Sequence, residues 1–130
     1  MTGASCGRML RTASGFSSRH FSGLGAVTAV CVTLDERGCA AYWLDENGDL
    51  AERIVPRIPI EHVVDTTGAG DSFAAGLAFG YLQDADIVRA AQYGNAMGAQ
   101  RCTGSTLDVY LSLPQTNKQL ADTYGTAFED

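Results

Sequence analysis

The stretch that decides the fold is Val63-Val64-Asp65-Thr66-Thr67-Gly68-Ala69-Gly70-Asp71-Ser72-Phe73. An apolar, β-branched run ends at Asp65 and an apolar helical pattern begins after Asp71, so the stretch reads as a strand-to-helix junction. Such junctions are where α/β folds hold ligands. Gly68 and Gly70 let the backbone approach a ligand closely and take φ values that other residues avoid. With Ala69 between them, their N–H groups converge on a helix start, which carries about half a positive charge and suits an anion, phosphate above all. Asp71 is the odd residue there, since a carboxylate repels a phosphate. It makes sense as a base that takes the proton of a substrate hydroxyl while the N–H groups absorb charge on a transferring group. The competing reading is that Asp71 caps its helix and the glycines only turn the chain.

Other glycine and nucleophile motifs fail. A dinucleotide fingerprint needs Gly where Phe73 stands, and a P-loop needs Gly-Lys, whereas the one lysine is Lys118. That lone lysine also disfavours Schiff-base chemistry, and His20 and His62 offer no Ser/His/Asp order.

Outward from the junction, the N-terminal side reads as β. Residues 26–33 (AVTAVCVT) form a nearly continuous apolar run that suits a strand buried on both faces. Cys39 to Leu44 and Leu50 to Val55 flank Asp45-Glu46-Asn47-Gly48, where Asn-Gly supplies the positive φ angles of a tight hairpin turn. A further strand is expected over Ile58 to Val64, with Pro56 and Pro59 at its edges.

The C-terminal side reads as helical. Asp71 to Leu82 places Phe73, Leu77, Tyr81 and Ala74, Ala78, Leu82 on one apolar face. Gly76 and Gly80 within it each cost up to about 1 kcal/mol relative to Ala, which close packing against a ligand or a neighbouring helix would offset. Asp84 or Asp86 caps a second helix running to about Arg101, and a third spans Thr116 to Tyr124 and ends at Gly125. Strand, hairpin, strand and then helices is the order of the C-terminal part of an α/β layer structure.

Composition sets the outer bounds. The 130 residues, 45% hydrophobic and 18% charged, suffice for one modest core and contain no apolar run long enough to span a membrane. The net charge of −6 argues against nucleic acid and anionic lipid as partners. Residues 1–34 hold Arg8, Arg11 and Arg19 and no acid, so the rest of the chain carries −9. This break suggests a join near residue 25. Residues 1–25, rich in Ser and Gly, read as a flexible leader or remnant. Their Arg content and the run Arg19-His20-Phe21-Ser22 also suit a mitochondrial transit peptide, the alternative to a cytoplasmic location. Cys6, Cys31, Cys39 and Cys102 form no C-x-x-C pair, so reduced, mostly buried thiols are expected.

Asp65 through Gly76 (DTTGAGDSFAAG) resembles the second signature of the ribokinase, or PfkB-type, carbohydrate kinases. Val32-Thr33-Leu34 with Gly38 resembles that family's strand and phosphate-contacting turn, and Asn95-Ala96 followed by Gly104 its late helix and loop beside the adenine. Residues 26–125 are similar to the family's C-terminal portion and the first 25 match nothing. The resemblance implies a ribokinase-like three-layer α/β/α fold, incomplete, and ATP-dependent phosphorylation of a sugar or related hydroxyl compound. It makes Asp71 the catalytic base and Gly68, Ala69 and Gly70 the anion hole. It places Thr33, Gly38 and Asn95 on the nucleotide, and Asp65 and Thr67 near a monovalent-cation site for K+. Mg²⁺ would arrive with ATP.

Two departures qualify the resemblance. Asp35 stands where the nucleotide turn usually has its first Gly, and the family's sugar-binding half is not in this sequence. The expectation is therefore a chain inactive or weak by itself, with unpaired strand edges that favour a homo-oligomer or a complementing chain. The alternative function is a non-catalytic nucleotide-binding or scaffold fragment.

Overall fold

The computed structural model describes residues 15–23 and 28–125, which fall into two compact units divided after Pro56.

The first unit contains helix α1 (Ser18–Gly23) and strands β1 (Ala29–Thr33), β2 (Cys39–Leu44) and β3 (Leu50–Val55). The strands form an antiparallel sheet in the order β1-β2-β3, with Thr33 opposite Cys39 and Cys39 opposite Val55. β2 is central and buried from Cys39 to Tyr42. Its Tyr42 packs with Phe21, Leu34 and Ala40 against Phe16, Val30, Val32 and Leu50. The Phe16 ring lies 4.7 Å from that of Tyr42, and the Tyr42 hydroxyl donates to Glu52 at 2.7 Å. Phe16 and Phe21 therefore belong to a core, which corrects the flexible-leader reading for residues 16–23. Burial of their aromatic area outweighs the poor helix propensity of the Ser- and Gly-rich segment. Residues 1–14, which include Cys6 and most of the transit-peptide reading, lie outside the described residues.

β1 is half-buried, not buried on both faces, because its described neighbour is β2 alone. The hairpin strands match the expected bounds, but the connection differs. Asp45 and Asp49 close a longer loop (Asp45 N–H to the Asp49 carbonyl, 2.9 Å) in which only Gly48 has positive φ. The Asp45 carboxylate accepts the N–H groups of Asn47 and Asp49, and that side-chain turn replaces the two-residue Asn-Gly turn. Cys31, Cys39 and Cys102 are free thiols.

The second unit holds helices α2 (Ala69–Asp84), α3 (Ile87–Arg101) and α4 (Leu113–Tyr124). Residues 57–66 form no strand. Pro59 has no N–H to donate, and no described strand lies alongside, so the apolar run finds no ladder. Instead the Val64 and Asp65 N–H groups both donate to the Cys102 carbonyl, at 2.8 and 3.4 Å.

α2 and α3 form a tight antiparallel pair joined at Ala85, which is left-handed (φ 58°). The Asp86 carboxylate caps α3 by accepting from Val88 and Arg89, while Asp84 pairs with Arg89 at 3.3 Å. The face α2 buries is Ser72, Gly76 and Gly80, whereas Ala74, Ala78 and Leu82 are exposed. The small residues win because they let two backbones meet. A Cβ on Gly76 would stand 2.4 Å from the Tyr93 carbonyl, and one on Gly80 2.8 Å from the Ala90 Cα. The two glycines thus serve helix–helix packing. Tyr93, Ala96 and Ala99 of α3 enclose Leu120 of α4 together with Ile58. Gln100 fixes α4 by donating to Thr116 and Gln119 and accepting from the Leu111 N–H. α4 begins three residues earlier than expected because Ser112 and Gln115 form a capping box; it ends at Gly125 (φ 69°) as expected.

Candidate functional site

The loop into α2 is organised by Asp65. Its carboxylate accepts the Thr67 N–H at 2.9 Å. Hydrogen bonds from the Thr67 backbone and side chain, with a smaller contribution from the Arg101 charge, hold its pKa below the usual carboxylate value. The Ala69 N–H donates back to Thr66 (3.1 Å), Gly68 turns left-handed (φ 82°) as the N-cap, and the Ser72 N–H donates to the Gly68 carbonyl. A non-glycine residue at Gly68 would be strained by roughly 1–2 kcal/mol. Gly70, by contrast, is already helical and needs no special φ; a Cβ there would meet nothing within 4 Å. Its role in the loop is open space.

Of the three N–H groups expected to form an anion hole, that of Ala69 is engaged with Thr66. None of the described hydrogen bonds uses the N–H groups of Gly68, Gly70 or Asp71, so the helix start keeps unspent donors. Asp71 stands in the first turn of α2, exposed, and its carboxylate enters no described hydrogen bond or ion pair. It does not cap the helix.

Asn95 is 8% exposed on α3, and its amide donates to the Tyr124 hydroxyl at 3.0 Å. Thr33 and Gly38 belong to the first unit, Thr33 exposed at the end of β1 and Gly38 buried with φ 93°. The turn between them places Asp35 at φ 54°, in the left-handed region. The residue that takes the place of the expected Gly therefore carries a backbone conformation suited to Gly. Arg101, buried beneath the Gly68 turn, was missed by sequence reasoning. A helix-terminal arginine has no distinguishing signature in sequence.

A three-stranded sheet in one unit, helices in the other and a glycine-bearing loop at the start of α2 make this an α/β chain. Residues 19–110 match the pfkB family carbohydrate kinases, and the chain belongs to that family. An uncharacterized sugar kinase of Archaeoglobus fulgidus is 39% identical over 74 residues, 57% of this chain and 27% of that protein. The nucleoside kinase of Burkholderia thailandensis, solved in complex with inosine, superposes with a TM-score of 0.71 at 23% identity. That match covers 88% of this chain and 36% of the other. A putative ribokinase II of E. coli in complex with ATP and Mg²⁺ gives a TM-score of 0.65 at 27% identity, covering 80% and 33%. The fold is thus ribokinase-like and partial: the chain spans about a quarter to a third of these relatives. No described helix is long and apolar enough to cross a membrane.

Proposed function

We propose that this chain carries the phosphoryl-transfer half of an ATP-dependent carbohydrate kinase whose acceptor is a sugar or a related hydroxyl compound. The observation that carries the reading is Asp71, a carboxylate without a described partner at a helix start whose own N–H groups are unspent. In the reaction, Asp71 takes the proton of the acceptor hydroxyl, and the resulting oxygen bonds to the γ-phosphorus of ATP. The bond from that phosphorus to the bridging oxygen breaks, and ADP departs with the electron pair. Charge spread over the transferring phosphoryl is met by the N–H groups at Gly68 and Gly70, with Ala69 holding the turn that aims them. Gly70 leaves the space this group needs. Mg²⁺ brought with ATP would supply charge neutralisation at the phosphates. On the family resemblance, Thr33 and Gly38 in the first unit and Asn95 in the second are each assigned to nucleotide contact.

The test compares the purified chain with Asp71→Asn, with Mg-ATP and a panel of sugars and nucleosides, scoring phosphate ester and ADP. Whatever turnover the chain shows, weak as it is expected to be, should fall by about 10²–10⁴-fold in the variant, with ATP affinity retained. A second reading, a nucleotide-binding fragment without turnover, is favoured by the carboxylate of Asp35 in the nucleotide turn. ATP binding by both proteins with transfer by neither would establish it.

A further inference from the structure

Two thiols lie together on the sheet of the first unit. Cys31 of β1 stands opposite Ala41 of β2, and Cys39 lies two residues before Ala41. Side chains alternate along a strand, so the two cysteines share one face as diagonal neighbours. That face is the reverse of the one on which Val32, Ala40 and Tyr42 join Phe16 and Phe21. Cys39 is fully buried and Cys31 half-buried. A hydrogen bond with the Cys39 thiol outweighs burial and holds the Cys31 thiol below its ordinary pKa. The thiolate is the form of sulfur that attacks oxidants. The pair thus combines one reachable sulfur with an enclosed one beside it.

The two cysteines bracket the turn Leu34–Gly38, which the Leu34 N–H closes by donating to the Gly38 carbonyl at 2.8 Å. Diagonal partners in an antiparallel pair have Cα atoms about 7–8 Å apart, whereas a disulfide spans up to about 7 Å without backbone movement. A bond between them therefore draws β1 toward β2 beside the turn. Among the described residues β1 pairs with β2 alone, which leaves its other edge free to follow. A bond closed in this way is strained, and strain makes it easier to reduce.

We propose that Cys31 and Cys39 are a redox site: a hydroperoxide joins them in a reversible disulfide that tightens the Leu34–Gly38 turn. The Cys31 thiolate attacks the terminal peroxide oxygen, the O–O bond breaks, and the departing oxygen takes up a proton and leaves as alcohol or water. Cys31 is then a sulfenic acid. The Cys39 sulfur gives up its proton and attacks the Cys31 sulfur, the S–O bond breaks, and the oxygen leaves as water. The two thiols lose two electrons and two protons, and the peroxide gains them. The proposal does not rest on the kinase reading, and its test needs no turnover.

The test treats the purified, reduced chain with hydrogen peroxide, blocks the remaining thiols with iodoacetamide, isolates the monomer and digests it with trypsin. Cleavage after Arg8, Arg19, Arg37, Arg53 and Arg101 puts Cys6, Cys31, Cys39 and Cys102 on separate peptides. Mass spectrometry should find residues 20–37 joined to residues 38–53, with both free thiols lost together and both recovered in dithiothreitol. Amide exchange over residues 34–38 should slow by about tenfold on oxidation, less than a strain-free cross-link would give. In Cys39→Ala, Cys31 should stop at the sulfenic acid and take up dimedone. Pairing mainly with Cys6, with Cys102 or between copies would overturn the proposal. So would thiols that resist peroxide, a sulfenic acid that persists on Cys31 in the wild type, or unchanged exchange once the bond has formed. Should Cys39→Ala not fold, the wild-type mapping and exchange decide.

Discussion

The turn Leu34–Gly38 and the loop Asp65–Asp71 both use positive-φ backbone at positions the family resemblance assigns to phosphate contact, the turn at Asp35 and Gly38 and the loop at Gly68 alone. The loop puts Gly68 there (φ 82°), and the turn puts Asp35 there (φ 54°). Gly68 meets its conformation without a Cβ penalty and keeps its surroundings open for a ligand. Asp35 meets a similar one against its own side chain, and adds a carboxylate. Asp tolerates this conformation better than most residues, which lets the turn form at modest cost. The difference shows that backbone shape alone survives an unfavourable residue, while shape together with an uncharged approach requires glycine.

The same logic, carried into the packing of the second unit, gives the largest expected effect. Gly76→Ala inserts a methyl 2.4 Å from a backbone oxygen. The gain in helix propensity, up to about 1 kcal/mol, is outweighed by overpacking of about 1–3 kcal/mol. Urea unfolding should show a net loss, and an unchanged midpoint would mean that α2 and α3 can separate freely. Next, Gly68→Ala tests the loop itself. Space is available, with Arg101 Nε at an ordinary contact distance, so only φ is strained. The expected loss is about 1 kcal/mol.

Asp35→Gly is the converse exchange. Relief of strain competes with the greater freedom glycine gives the unfolded chain, and a net gain of about 0.5 kcal/mol is expected. ATP affinity, measured by calorimetry, should also rise as the carboxylate leaves. If both exchanges proved neutral, the contrast between turn and loop would have no energetic content. The smallest effect concerns acid. Because folding lowers the Asp65 pKa, its ionised form stabilises the native state above the unfolded value, and this contribution fades as the pH falls below 3.8 toward the folded value. Asp65→Asn should therefore melt slightly lower at neutral pH and show a shallower decline in acid.

Sequence resolved what local chemistry dictates. The hairpin strands, the Asp86 cap, the Gly125 stop and the Gly68–Asp71 helix start were legible because each is set by residues within a few positions. The early start of α4 was legible too, in the Ser112–Gln115 spacing, though the helical periodicity overshadowed it. The strand expected over Ile58 to Val64 failed for a different reason. β-branched residues favour extended backbone, but a strand exists only where another supplies its hydrogen bonds. The buried face of α2 was misread because apolar periodicity rewards Ala74, Ala78 and Leu82, whereas a close helix pair selects the smallest side chains.

By itself, then, the sequence determined the family, the hairpin, the order of the three later helices and the identity of the loop that holds Asp71, since these follow from contiguous residues. Tertiary structure alone decided that Phe16 and Phe21 join a core, that Ser72, Gly76 and Gly80 form the buried stripe, and that Asp71 is spared from capping. It also brought Arg101 beneath Gly68, 33 positions away in the chain. Contacts of that kind depend on how close two backbones come and which charge ends up between them, and a linear pattern carries neither quantity.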